Sequence, residues 1–218
     1  MKTQKRQSIH LFVATILALL GPLAQKGRGN FVLLHDEQLT VNSHHNQGTL
    51  YDTSRAFIVS GGSVDSLDAY DSSSVDISGG SVSYYLNAYN YSTVNISGGS
   101  VGRLEDSSAV NISGGSVEGL CTWAFSTADI SGGSITNLDA YDSSVVTFYG
   151  QNFHVGAGLT FDGERVLGTG TLSGEWMDGT RWAVNIFTNQ PTANIFAIPE
   201  PATLLLLGLG AVMVRRKL

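Results

Sequence analysis

The chain has one cysteine and four prolines in 218 residues, and no lysine between Asn30 and Pro199. Each shortage removes a class of protein. A lone Cys121 cannot build the disulfide framework that holds small secreted domains together. Scarce proline and 42% hydrophobic residues do not fit a disordered low-complexity chain. From Asn30 to Pro199 there are 17 acidic residues against Arg55, Arg103, Arg165 and Arg181, a balance of −13. Duplex-binding proteins need Lys and Arg to displace phosphate counterions, so this body is not a nucleic-acid binder, and it has little with which to hold an anionic bilayer. Eight of the twelve basic residues sit in the first 28 positions or the last four. What is plentiful is glycine, 26 residues, and serine, 25, and both are placed with regularity.

The two ends read as addresses. Lys2, Lys5 and Arg6 precede an apolar run from Ile9 to Leu20 that is too short for an ordinary membrane span. That order predicts a secretory signal peptide over residues 1–24, with a signal helix. At the other end Pro199-Glu200-Pro201 is followed by the largely apolar run Ala202 to Val214 and then by Arg215, Arg216 and Lys217. As a helix that run is about 20 Å long, short of a hydrocarbon core of about 30 Å. The terminal cations favour the cytoplasmic side, which leaves everything before Pro199 outside the cytoplasm.

This three-part tail resembles the PEP-CTERM sorting signal of Gram-negative bacteria, with Pro199, Glu200 and Pro201 as its motif and Arg215, Arg216 and Lys217 as its basic end. The resemblance implies a partner: an exosortase, an integral-membrane cysteine protease-transpeptidase that processes the tail during export. It also implies transient residence in the inner membrane, then delivery to the cell surface or extracellular matrix, often in association with exopolysaccharide.

Between the ends lies a repeat. Val59-Ser-Gly-Gly-Ser-Val64 recurs from Ile77, Ile96, Ile112 and Ile130, and a degenerate copy surrounds Gly150. The leading glycines, Gly61, Gly79, Gly98, Gly114, Gly132 and Gly150, are spaced 18, 19, 16, 18 and 18. Within each repeat apolar residues alternate, as in Val75 and Ile77, Val94 and Ile96, Val110 and Ile112. Period two means a strand with one buried face, so Asp76, Asn95, Asn111, Asp129 and Thr147 should point to solvent. A second inward set, Leu67 with Ala69 and Leu86 with Ala88, continues through Leu104, Leu120 and Leu138 with Ala140. Gly-Gly suits a corner needing positive φ or close backbone approach, and Ser/Asp/Asn clusters suit the opposite corner.

Such a unit cannot bury its apolar side alone, whereas stacking coil on coil about 4.8 Å apart closes a continuous core. The expected fold is all-β: a parallel β-solenoid of five to six coils between a signal helix and a sorting helix. The Gly-Gly repeats look like the passenger repeats of surface autotransporters, a resemblance that implies a right-handed β-helix. The expected division is an N-terminal cap over 30–56, the solenoid over 57–150, a C-terminal cap hairpin over 151–187, a linker over 188–198 and the sorting signal over 199–218. The hairpin rests on the Asp178-Gly179 turn between Gly168–Gly174 and Trp182–Phe187.

Aligning the coils puts Tyr70, Tyr89, Trp123 and Tyr141 in one column, with Ser107 in place of the aromatic in the short third coil. Outward aromatics beside carboxylates and amides suit sugar rings, and an aromatic ladder that stiffens the stack is the simpler reading. The Asp76, Asn95, Asn111, Asp129 column has calcium-type oxygens but lacks the nonapeptide of calcium β-rolls, so no metal or cofactor is expected. His35, His44 and His45 lie near Asp36 and Glu37 without metal-ligand spacing and read as a solvated loop. Cys121 aligns with the outward residues Asp68, Asn87, Glu105 and Asp139, which predicts an exposed thiol without a base. A β-helix glycosidase needs two carboxylates of different environment, and a lyase a strong base with a charge clamp. Here carboxylates recur in equivalent settings. The order of readings is therefore a structural surface protein, not an enzyme, that associates with extracellular polysaccharide; then a carbohydrate-binding or adhesin module; and last a polysaccharide-degrading enzyme.

Overall fold

A computed structural model describes residues 29–199. The signal helix expected over 1–24, the expected sorting helix, and Glu200, Pro201, Arg215, Arg216 and Lys217 lie outside the described residues. Within them the chain is all-β, fifteen strands in one continuous hydrogen-bonded network. The strands are β1 (Phe31–Leu33), β2 (Gln38–Val41), β3 (His44–Leu50), β4 (Arg55–Ile58), β5 (Ser63–Ala69), β6 (Ser74–Ala88), β7 (Thr93–Asp106), β8 (Ala109–Thr122), β9 (Thr127–Ala140), β10 (Val145–Val155), β11 (Leu159–Asp162), β12 (Arg165–Gly168), β13 (Gly170–Glu175), β14 (Arg181–Asn189) and β15 (Asn194–Pro199).

These strands coil into a parallel β-solenoid of about seven turns. One column runs β2, β4, β6, β7, β8, β9, β10 and β15, all parallel and in register. It stacks Val75 on Val94, Val110 and Ala128, and Ile77 on Ile96, Ile112 and Ile130. The opposite wall stacks Leu67, Leu86, Leu104, Leu120, Leu138 and Ile186. Every one of these side chains is essentially inaccessible to water. The period-two pattern therefore sets the fold: each coil has one apolar side, and only its neighbours above and below can pair its backbone.

The Gly-Gly corner uses its two glycines differently. Gly99, Gly115 and Gly133 take φ of +75 to +78°, a conformation that disfavours a Cβ. The glycine before each is needed for space, because a Cβ on Gly98 would sit 2.6 Å from the carbonyl oxygen of Ser78 in the coil below. The corner is thus a place where backbone packs on backbone.

Two boundaries differ from the sequence expectation. Residues 30–56 are not a separate cap: β1 to β4 are coils of the same stack. They lack the Ser-Gly-Gly-Ser signature, and His45 fills the inward place held by Val64 above it, packing edge-on against Phe31 with centroids 5.2 Å apart. Residues 188–198 are not a linker either. They comprise the end of β14, a turn and most of β15, which pairs parallel with β10 and antiparallel with β12. Residues 151–180 are inserted into this last coil. The Asp178-Gly179 turn joins β13 to β14 as an antiparallel hairpin, and β12 covers the edge of β15. Phe148, Trp182 and Trp176 stack in series at 5.1 and 4.7 Å, and the Trp176 indole donates to the Gly133 carbonyl at 2.9 Å, fastening the hairpin over the stack.

Candidate functional site

The corner opposite Gly-Gly is built from a four-residue turn in the regular coils. Ser73, Ser92, Ser126 and Ser144 each donate a backbone N–H to the carbonyl of Tyr70, Tyr89, Trp123 and Tyr141, respectively. The residue after each aromatic has positive φ: Asp71, Asn90, Ala124 and Asp142, at 52 to 61°. Asp and Asn tolerate that conformation, and Ala124 is the exception among them. These turns place Tyr70, Tyr89, Trp123 and Tyr141 in the expected column, and Tyr51 joins it from the coil below.

The rings stack on one another. Centroids are 5.2 Å apart for Tyr51 and Tyr70, 4.8 Å for Tyr70 and Tyr89, and 4.0 Å for Trp123 and Tyr141, all within 12° of parallel. Both faces of Tyr70 are therefore covered by protein, and a sugar could reach only its edge. Tyr89 and Trp123 flank the missing rung at Ser107, and neither has a stacked ring on that side. Burial pushes the Tyr70 and Tyr89 hydroxyls up, followed by the Asp68 carboxylate, and Glu105 adds to the effect at Tyr89.

The third coil lacks two residues at this corner, which accounts for the 16-residue spacing. Asp106 supplies the turn in place of a carbonyl: its Oδ1 accepts the Ser108 N–H at 2.6 Å and the Ser108 hydroxyl at 2.7 Å. This carboxyl occupies the inward place of Ala88 and is fully buried. Its Oδ2 has no hydrogen-bond partner. Burial raises its pKa to about 6, against the opposing effect of the serine donors.

The 19-residue spacing has a different cause. Val82 and Leu86 are separated by one residue more than Val64 and Leu67, and the extra residue forms a bulge between β5 and β6. The bulge turns both Tyr84 and Tyr85 outward, 62% and 49% exposed. They stand at the edge of a groove of about 480 Å³ that crosses successive coils toward Phe187, lined also by Gly102, Arg103, Glu118, Gly119, Asn137 and Asp139. Gly119 leaves the floor open, since a Cβ there would approach only the Arg103 Cγ, at 3.8 Å. Arg103 pairs with Glu105 at 2.9 Å. Sequence reasoning did not single out Tyr84 and Tyr85, although the spacing of 19 marks their position.

Cys121 departs from expectation: it is 1% exposed, not open to solvent. It does align between Glu105 and Asp139, but the longer side chains around it close over the thiol. Burial pushes this thiol up, and Arg103 opposes the rise. His44 and His45 belong to β3, not to a loop. His35 pairs with Asp52 at 2.8 Å, His44 reaches Ser63 at 3.0 Å, and the three imidazoles have separate partners. In the Asp76 column, Asn95 donates to Asp76 at 2.8 Å and Asn111 to Asn95 at 2.9 Å, so amides bridge the coils where a cation would otherwise be wanted. Thr147, in the same column, is buried beside Phe196 of β15. Among the described residues no three His, Cys, Asp or Glu side chains converge as a metal site would require.

A rigid solenoid carrying aromatic and polar groups on one face is the class of structure these residues define. Its tail states the route. Residues 197–217 match the PEP-CTERM protein-sorting motif, which marks an exported protein processed at the membrane by an exosortase. The match begins at Ala197, inside β15, so the sorting signal is joined to the last coil without a spacer. No curated protein and no solved structure matched the chain.

Proposed function

We propose that the protein is a structural component of the Gram-negative cell surface or extracellular matrix, associated with exopolysaccharide and without catalytic activity. The observation that carries this reading is the sorting motif fused directly to a one-piece stack: an exported, rigid body with its tail at one end and a long lateral face free. The carboxylates support a non-catalytic role. In the Asp76 column Asp76 accepts from the Asn95 amide and Asp129 from the Tyr149 hydroxyl, and Asp106 is buried. A hydrolase would need an acid and a base held in unlike environments, and the two carboxylates of the groove, Glu118 and Asp139, both remain open to solvent.

A carbohydrate-binding or adhesin role is the second reading, favoured by the groove beside Tyr84 and Tyr85. Sugar-binding clefts combine aromatic faces with a few oriented polar groups, and Arg103, Asn137 and Asp139 provide those. The test is fractionation of the native organism and of a mutant that makes no exopolysaccharide. The protein should be retained with the cell surface or matrix in the first and released to the medium in the second. Equal retention in both would overturn the association. Glu200→Ala should leave unprocessed protein in the inner membrane, and unchanged tail removal in that variant would contradict the sorting step.

A further inference from the structure

We infer that the missing rung of the aromatic column is a binding notch for a single sugar ring, of a neutral or amino sugar rather than a uronic acid. The inference rests on the association with polysaccharide proposed above and assigns it a place.

Four observations converge on the notch. The backbone hydrogen bonds Tyr89 N–H to Ala69, Ser107 N–H to Ala88 and Trp123 N–H to Asp106 show that Ser107 occupies the same column as the two aromatics. Filled rungs place ring centroids 4.0 to 5.2 Å apart. One empty rung therefore leaves about 9–10 Å between Tyr89 and Trp123, two inter-strand steps. That is the thickness needed for one ring held between two aromatic faces. Second, the two-residue deletion draws the third corner back while its neighbours protrude, and their tips carry Tyr91 and Phe125, 85% and 86% exposed. Third, the recess has an oriented polar group, the Ser107 hydroxyl, which donates to the Ala88 carbonyl at 3.1 Å, with Glu105 two residues before it on β7. Fourth, the recession is built in, because the buried Asp106 closes the short turn through Ser108.

The chemical class follows from shape and charge. A pyranose offers C–H faces to Tyr89 and Trp123 and hydroxyls to Ser107 and Glu105. Glu105 already takes the nearby Arg103, and the body is strongly acidic, so a ring bearing a carboxylate would meet repulsion. A neutral ring meets none, and an ammonium-bearing ring meets attraction.

Trp123 is a built-in reporter, since Trp176 and Trp182, the other two tryptophans, are buried. The experiment titrates the purified protein with cellotetraose, chitosan tetramer and tetragalacturonate while tryptophan emission is recorded. A saturable change is expected with one or both of the first two, and a response at least tenfold weaker with the third. Ser107→Tyr refills the rung: it should raise the melting temperature and abolish the titration, whereas Val32→Ala, an exposed position of the first coil, should leave the titration intact. No saturable response to either of the first two oligomers, an equal response to tetragalacturonate, or an undiminished response in folded Ser107→Tyr would overturn the notch. The failure of the wider reading looks different: wild-type protein would be equally retained with and without the native exopolysaccharide. Retention lost in the Tyr84→Ala, Tyr85→Ala double variant but kept in Ser107→Tyr would leave the polysaccharide reading standing and reject the notch.

Discussion

The two corners of each coil follow different rules. At the Gly-Gly corner five coils carry the same Ser-Gly-Gly-Ser sequence, because one glycine lies against the backbone below and the other takes positive φ. At the opposite corner length and side chains vary: four-residue turns with aromatics in most coils, a contracted turn closed by Asp106 in the third. The difference teaches where a stacked fold tolerates change. Where backbone contacts backbone, one extra carbon displaces a neighbouring coil, and where side chains face solvent, an insertion or deletion only alters the surface. Tyr84 and Tyr85 are turned outward at the bulge, and Tyr91 and Phe125 stand on the two turns that flank the contracted one.

The largest effect should come from neither corner but from the wall between them. Ile112→Asp buries a charge between Ile96 and Ile130 and should cost several kcal/mol, enough to abolish cooperative unfolding. Asn111→Asp, one residue away on the outer face, should cost less than about 1 kcal/mol. Circular dichroism melts of the two would separate them, and equal damage would contradict the period-two assignment.

At the Gly-Gly corner, Gly115→Ala combines a backbone at φ +75° with a Cβ 2.8 Å from the Gly98 carbonyl carbon. A loss of about 2–4 kcal/mol in denaturant unfolding is expected, strain and overpacking together. A neutral result would remove the reason given for the invariance of this corner.

The contracted corner should respond to pH. Below about pH 4 Asp106 is protonated whether the chain is folded or not, and above about pH 6 it is ionised in both states while the folded state bears the cost of burial. Its contribution to stability is therefore lost as pH rises from about 4 to about 6, by on the order of 2–3 kcal/mol. Asp106→Asn keeps the Oδ1 acceptor and removes the charge, so its stability relative to the parent should rise over that interval. Parallel unfolding curves at pH 4 and pH 7.5 measure this, and a pH-independent difference would contradict it. The smallest effect belongs to Ala124, at φ 54° where the other regular turns have Asp or Asn. Ala124→Asn should gain about 0.5–1 kcal/mol, and a loss would mean that this turn differs from its neighbours.

Much of this was legible in the sequence for a physical reason: alternation such as Val75, Ile77 and the repeated Gly-Gly are local, and stacking multiplies a local pattern into a fold. The Asp178-Gly179 hairpin was legible in the same way. What escaped depends on pairing between distant segments. Ile195 and Ala197 alternate as Val146 and Phe148 do, yet only the structure shows that they complete a coil after the 151–180 insertion. Cys121 obeys the outward parity, and burial by its neighbours is a property of three coils together. The site was half legible. The aromatic column and its gap could be aligned, whereas the consequence of the spacings 19 and 16, a bulge that turns out Tyr84 and Tyr85 and a turn closed by a buried carboxyl, required the register.

The proposed function, an exported solenoid released from its sorting tail and held by the matrix, is tested most directly by the intact mass of the native protein extracted from that matrix. The expected mass corresponds to a chain that has lost its N-terminal signal and that ends at or near Pro199-Glu200-Pro201, without Ala202 to Leu218. An extracellular protein that still carries its apolar run and Arg215-Arg216-Lys217 would contradict it.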